Sequence, residues 1–383
     1  MEVPAEFDDI RPYNPEELPH VIDELFADPQ FLDVVRFLYK DVSPEVLCCQ
    51  AKACSSNLEV QEKILYPLVM HLLEGTTHSI SLGLPEDMDR NGHYTFVSNH
   101  RDIVLDSAIL SLLLLSNGFH DTVEIAIGDN LLIYPWIKKL VRINKSFIVR
   151  RSVSMREKLE SSRLLSRYMH FAIAEKHENV WIAQREGRAK DSDDRTQESV
   201  LKMMAMGVSG SPAEQLAGLH IVPLSISYEY DPCDYLKAKE FQQKRDNPQF
   251  VKSRADDLEN MRVGILGFKG EVHYEFAPVI DTWLPELEAL PKADFFREVA
   301  RRMDGFIHRG YRLYPSNYVA ADLLDGGDRF SAHYSPEERS RFESYIEERI
   351  GRVELPDPDP VFLRERLLTM YANPLKNHLA AMA

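Results

Sequence analysis

The chain has only four cysteines in 383 residues, and they form no recognisable set. Cys48 and Cys49 are adjacent, Cys54 follows closely, and Cys233 is remote. Without a C-x-x-C pair or a Cys/His group at zinc spacing, neither a disulfide framework nor a structural metal site is expected. Positive charge is also short: 45 Lys/Arg face 61 Asp/Glu, a net charge of −16, which argues against nucleic acid as the main partner. No apolar run reaches the roughly 20 residues of a membrane-spanning helix. The opening "MEVPAEFDDI" lacks the basic-then-apolar pattern of a signal peptide, so a cytoplasmic location is expected. There is no P-loop, no dinucleotide-binding glycine set, no H-E-x-x-H and no G-x-S-x-G. "DSDDRTQ" at 191–197 superficially resembles a calcium loop, but it lacks the required glycine and the closing glutamate and reads as an ordinary loop.

What is present is an alternation. The first ninety residues read as helices, with Ser43 and Pro44 at the N-cap and first position of one of them. From "HYTFVSN" onward, short apolar strands alternate with helical segments about five times. The strands are "HYTFVSN", "VEIAIGDN", "SFIVRRS", "NVWIAQREGR" and "HIVPLSISYEYDP", and "FKGEVHYEFAPVI" adds one more. This pattern predicts an α/β layer with a mostly parallel sheet flanked by helices. From Pro285 the chain turns helical again. The expected organisation is a helical N-terminal region (1–90), an α/β domain (91–284) and a helical C-terminal region (285–383).

Polar clusters follow four of these strands: "NHRD", "GDN", "RRS" and "QREGRAK". Ligands gather at the carboxyl ends of strands in open α/β sheets, so the four together predict a site. Between residues 130 and 180, eleven Lys/Arg stand against four Asp/Glu, a basic middle suited to an anion.

The ordered blocks "SNHRDIVLD", "IGDNLLIYPWIKKLVRINKSFIVRRS", "WIAQREGRAKD" and "HIVPLSISYEY" resemble the glycerolipid acyltransferases. That family carries an N-H-x4-D block, an F-I-x-R strand and an E-G-x-R block. The resemblance spans roughly Tyr94 to Tyr230. It implies transfer of a fatty acyl group from a coenzyme A or acyl-carrier-protein thioester to a glycerol-phosphate-type hydroxyl, with no resident cofactor or metal. His100 would be the general base and Asp106 its carboxylate partner; Arg101, Arg150, Glu186, Gly187 and Arg188 would bind substrate. Arg151, Arg185 and Lys190 rank second, and strand alternation turns one of Arg150 and Arg151 away. A histidine is suited to removing a hydroxyl proton near neutral pH, and an arginine's planar fork suits a phosphate.

One departure stands out. Five residues, not four, separate His100 from Asp106, and Asp102 is closer in sequence. Asp102 is therefore an alternative partner, or else the cap of the following helix. Other readings are an acceptor lacking phosphate, a thioester hydrolase and a non-catalytic lipid-binding relative. A lipid product implies contact with a membrane surface from the inner face, and "LLIYPWIKKL", with Tyr134 and Trp136 among apolar residues, has an interfacial composition.

Overall fold

The fold was obtained as a computed structural model that describes residues 3–151 and 155–383. Five helices lead in: α1 (Leu18–Phe26), α2 (Pro29–Leu38), α3 (Pro44–Lys52), α4 (Asn57–Val60) and α5 (Tyr66–Thr76). Ser43 caps α3 as expected, its hydroxyl accepting from Val46 N, with Pro44 at the first helical position. These helices close over Leu18, Ile22, Leu25 and Val35 in a core of their own.

A seven-stranded sheet follows: β1 (Thr77–Gly83), β2 (Thr95–Ser98), β3 (Val123–Gly128), β4 (Ser146–Val149), β5 (Asn179–Ala183), β6 (Ile221–Tyr228) and β7 (Gly270–Phe276). Its order is β1-β7-β6-β2-β5-β3-β4, parallel throughout except between β6 and β7. Strands β2 to β6 therefore run one way and β7 and β1 the other. The expected α/β class with a mostly parallel sheet is what the structure shows. The crossovers are α6 (Leu105–Ser116), α7 (Pro135–Ile143), α8 (Met155–Ala174), and the pair α9 (Glu198–Met204) and α10 (Pro212–Ala217). Helices cover both faces. Phe96 joins the core beneath α6 and its neighbour Val97 the core beneath α8, as pleating requires.

Three readings need correction. Residues 1–90 are not helical throughout, since Thr77–Gly83 is the edge strand β1, paired with β7. "SFIVRRS" is strand only to Val149; Ser152 lies outside the described residues. Two helices the pattern did not reveal, α11 (Asp234–Asp246) and α12 (Arg254–Leu266), connect β6 to β7. They lack a continuous apolar stripe, and their inward positions include Asp234, Lys237, Glu240 and Asn260.

The chain ends in α13 (Lys292–Arg309), α14 (Pro315–Asp325), α15 (Pro336–Gly351) and α16 (Pro360–Met382). Helix α13 joins the sheet's core through Phe296, Val299 and Met303, while α14 to α16 build a separate cluster around Phe342, Leu367 and Tyr371. Among the described residues, no helix is long and apolar enough to cross a membrane.

Candidate active site

The shared direction of β2 to β6 brings five carboxyl ends to one edge, and the predicted clusters lie there. The end of β2 is fixed first. Asn99, wholly buried, donates from Nδ2 to Ile226 O (2.9 Å) and accepts at Oδ1 from Ile226 N (2.8 Å), so it joins the end of β2 to β6. His100 then emerges half-buried, its ring edge-on to Trp181 at 5.6 Å.

His100 Nδ1 lies 2.8 Å from Asp106 Oδ2. The same oxygen accepts from Arg101 N (2.7 Å) and Asp102 N (3.0 Å), and Oδ1 accepts from the Tyr228 hydroxyl (3.1 Å). Four donors thus converge on a side chain with no exposed surface. A carboxylate only accepts, so the shared proton belongs to Nδ1, and the lone pair of Nε2 remains available.

The spacing question is settled by local geometry. Asp102 Oδ1 accepts from Val104 N (2.8 Å) and Leu105 N (2.7 Å), so Asp102 caps the start of α6. Burial, and then the negative charge of Asp106, push the Asp102 carboxyl above its ordinary pKa. The turn between His100 and α6 absorbs the extra residue, and Asp106, in the first turn of α6, reaches back to the imidazole.

The end of β5 carries Glu186, Gly187 and Arg188. Glu186 and Gly187 are exposed, and Glu186 lies 3.4 Å from Arg151 Nη1. Gly187 has φ +71, with open space where a Cβ would stand. The glycine is thus explained by its backbone conformation. Arg188 donates from Nη2 to Asn260 Oδ1 (2.8 Å), while its Nη1 is buried without a hydrogen-bond partner. Arg188 and Asp102 are close enough to stabilise each other's charge, which brings the β2 and β5 ends together.

Two expected substrate contacts are not brought to this group. Arg150 is exposed and pairs with Asp9 of the N-terminal segment at 2.8 Å. Arg151 lies beside Glu186 instead, and since both arginines follow the end of β4, strand alternation does not apply to them. Arg101 is buried; its guanidinium meets Asp194 at 3.0 Å, donates to Ile226 O and lies 5.6 Å from the Tyr311 ring centroid. It lines a small cavity of about 30 Å³. Lys190, a second-rank candidate, is paired with Glu240. The interfacial reading of Trp136 also gives way, because its ring packs against Phe31 of the N-terminal helical core.

Sequence reasoning missed Tyr228, Tyr274 and Asp194. Tyr274 donates to the backbone carbonyl of Asp106 (2.9 Å), and Asp194 holds Arg101. Tyr228 ends a strand that is buried throughout, and Tyr274 falls on the buried face of the alternating strand β7, where each reads as a packed ring. Asp194 is one of three aspartates in the loop that resembles a calcium site.

An imidazole held by a buried carboxylate thus stands at the strand-end edge, with Arg188 following β5 and Arg151 following β4. Residues 79–227 match the family model described as Acyltransferase, so this part of the chain is similar to that family's domain. Among solved structures it is similar to the 1-acyl-sn-glycerophosphate (LPA) acyltransferase PlsC from Thermotoga maritima. The two are 12% identical over 75% of this chain and 95% of that one, with a TM-score of 0.37. No curated protein sequence matches significantly.

Proposed function

We propose that this acyltransferase moves a fatty acyl group from a coenzyme A or acyl-carrier-protein thioester to the hydroxyl of a glycerol-phosphate-type acceptor, with His100 as general base. The observation that carries the proposal is the 2.8 Å contact between His100 Nδ1 and the buried Asp106, which leaves Nε2 at the strand-end edge. His100 Nε2 takes the hydroxyl proton as the oxygen attacks the thioester carbonyl. The tetrahedral intermediate collapses to an ester and a thiolate, and the imidazolium returns the proton to sulfur. Asp106 stabilises the imidazolium while it exists. The free Nη1 of Arg188 supports an anionic acceptor, with Arg151 and Glu186 beside it. Val104, exposed two residues before Asp106, and the half-buried Leu131 to Tyr134 put apolar surface around the same edge. That placement suits work at a lipid surface from the cytoplasmic face.

The test is purified protein with acyl thioesters and a panel of acceptors, measuring free thiol and identifying the lipid product by mass. Thiol release should require a phosphate-bearing acceptor and should vanish in His100→Ala. Release that proceeds equally well in water alone would make the protein a thioester hydrolase. Unimpaired transfer by His100→Ala would remove the base.

A further inference from the structure

Asp106 needs both of its carboxylate oxygens satisfied, and only one of them faces His100. Oδ2 is occupied by the imidazole and two backbone N–H groups. Oδ1 points the other way, into the sheet, and accepts from the Tyr228 hydroxyl at the end of β6. Burial first, and then the neighbouring Tyr274 and Asp106, push the Tyr228 phenol well above its ordinary pKa, so it remains a donor through the working range. The hydrogen bond therefore divides the carboxylate's charge between an oxygen that serves the base and one that does not.

We propose that Tyr228 is a positioning residue for acyl transfer: by donating to Asp106 Oδ1 it fixes the rotation of the carboxylate and sets how strongly Oδ2 holds the His100 imidazole. The proposal rests on the reading of His100 as base and extends it to a residue at the end of the neighbouring strand β6. Nothing in the H-x5-D block itself specifies which way the carboxylate plane turns. The two backbone donors and His100 share one oxygen, and without a donor on Oδ1 the group is free to rock about its Cβ–Cγ bond. A loosened carboxylate would present the imidazole at a spread of angles, and proton transfer is sensitive to such misplacement.

Tyr274 supplies the internal comparison. It is buried like Tyr228, lies on the adjacent strand and also donates to Asp106, but to the backbone carbonyl. Tyr274→Phe removes a buried hydrogen bond to the backbone of the same residue and a contact with the Tyr228 hydroxyl, while leaving the Tyr228 donor to the carboxylate in place. If Tyr228 merely contributed to packing, the two variants would behave alike.

Tyr228→Phe should lower kcat about tenfold or more, the scale of a lost hydrogen bond to a charged group, with the KM of each substrate within about twofold. It should also move the acidic limb of the kcat/KM profile upward by about half a pH unit, because charge withdrawn from Oδ1 gathers on Oδ2 and favours the imidazolium. Tyr274→Phe should leave that limb in place. A fluorotyrosine at position 228, a stronger donor, should move the limb downward, and it provides the reading if Tyr228→Phe fails to fold. In a His100→Ala background, Tyr228→Phe should have no further effect on residual rate. If His100→Ala abolishes transfer while Tyr228→Phe changes neither kcat nor the limb, the Tyr228 role is wrong and the base stands. If His100→Ala transfers normally, the base itself is wrong.

Discussion

Asp106→Asn is the sharpest perturbation of the site, because it removes a charge and almost no volume. The amide oxygen can take the place of Oδ2 and keep Arg101 N, Asp102 N and His100 Nδ1 as donors. The amide nitrogen then meets the Tyr228 oxygen, which can accept, but the Tyr228 O–H loses its carboxylate acceptor. Stability should fall by about 1–3 kcal/mol, the scale of one unsatisfied buried donor. The rate should not be spared. When His100 is protonated in the transition state, its charge lies about 4 Å from that of the carboxylate. At an effective dielectric constant of about 20 their attraction is about 4 kcal/mol. Loss of that term slows the chemical step by about three powers of ten. The acidic limb of the pH profile should also move downward, opposite to Tyr228→Phe, because the imidazolium has lost its counter-charge. The assay is acceptor-dependent thiol release under saturating donor, followed from pH 5 to 9, with circular dichroism to confirm the fold. A loss of less than tenfold in a folded variant would mean that Asp106 does not serve the base.

Other perturbations address the rest of the site. Arg188→Ala should raise the KM for a phosphate-bearing acceptor roughly tenfold to a hundredfold and leave a phosphate-free acceptor nearly unchanged; Arg150→Ala should affect neither, since Arg150 is turned to Asp9. Arg101→Ala leaves Asp194 buried without its partner and should cost about 3–5 kcal/mol in chemical denaturation. Lys269 is buried with its ammonium among backbone carbonyls, and desolvation lowers its pKa from the ordinary 10.5 to about 8. The unfolded chain therefore binds more protons between those values, and stability rises with pH across that window. Relative to Lys269→Met, the wild type should gain up to about 2 kcal/mol between pH 8 and 9.5; a constant difference would refute the assignment.

The sheet was legible because apolar strands ending abruptly in His, Asp, Arg or Glu have few places to put those groups except at a strand end. That logic located His100, Glu186 and Arg188 without knowledge of any contact. It could not choose between Asp102 and Asp106, since the answer depends on how four residues turn before α6 begins. It preferred Arg150 to Arg151, but both lie beyond the end of β4, and Arg150 is drawn to Asp9, some 140 residues earlier in the chain. Strand β1 escaped because "THSISLG" has little apolar character, as suits an edge strand that is only partly buried. Tyr228 was hidden for the opposite reason. Every residue of β6 is buried, so no alternation remains to distinguish a working hydroxyl from a packed ring.

Arg101 makes the more instructive error. An arginine next to the proposed base invites assignment to the substrate, yet its ion pair runs inward to Asp194, in the loop that follows Arg188. That loop is held in turn by the C-terminal helices. His308 Nε2 is 2.8 Å from Asp194 O, Thr196 Oγ1 donates to Asp304 Oδ1, and Asn373 Nδ2 donates to Asp191 O. The base-bearing loop after β2 and the arginine-bearing loop after β5 are therefore tied to each other by Arg101 and Asp194, and both are braced by α13 and α16. The site's two halves keep their mutual placement through buried polar struts that never face the open edge.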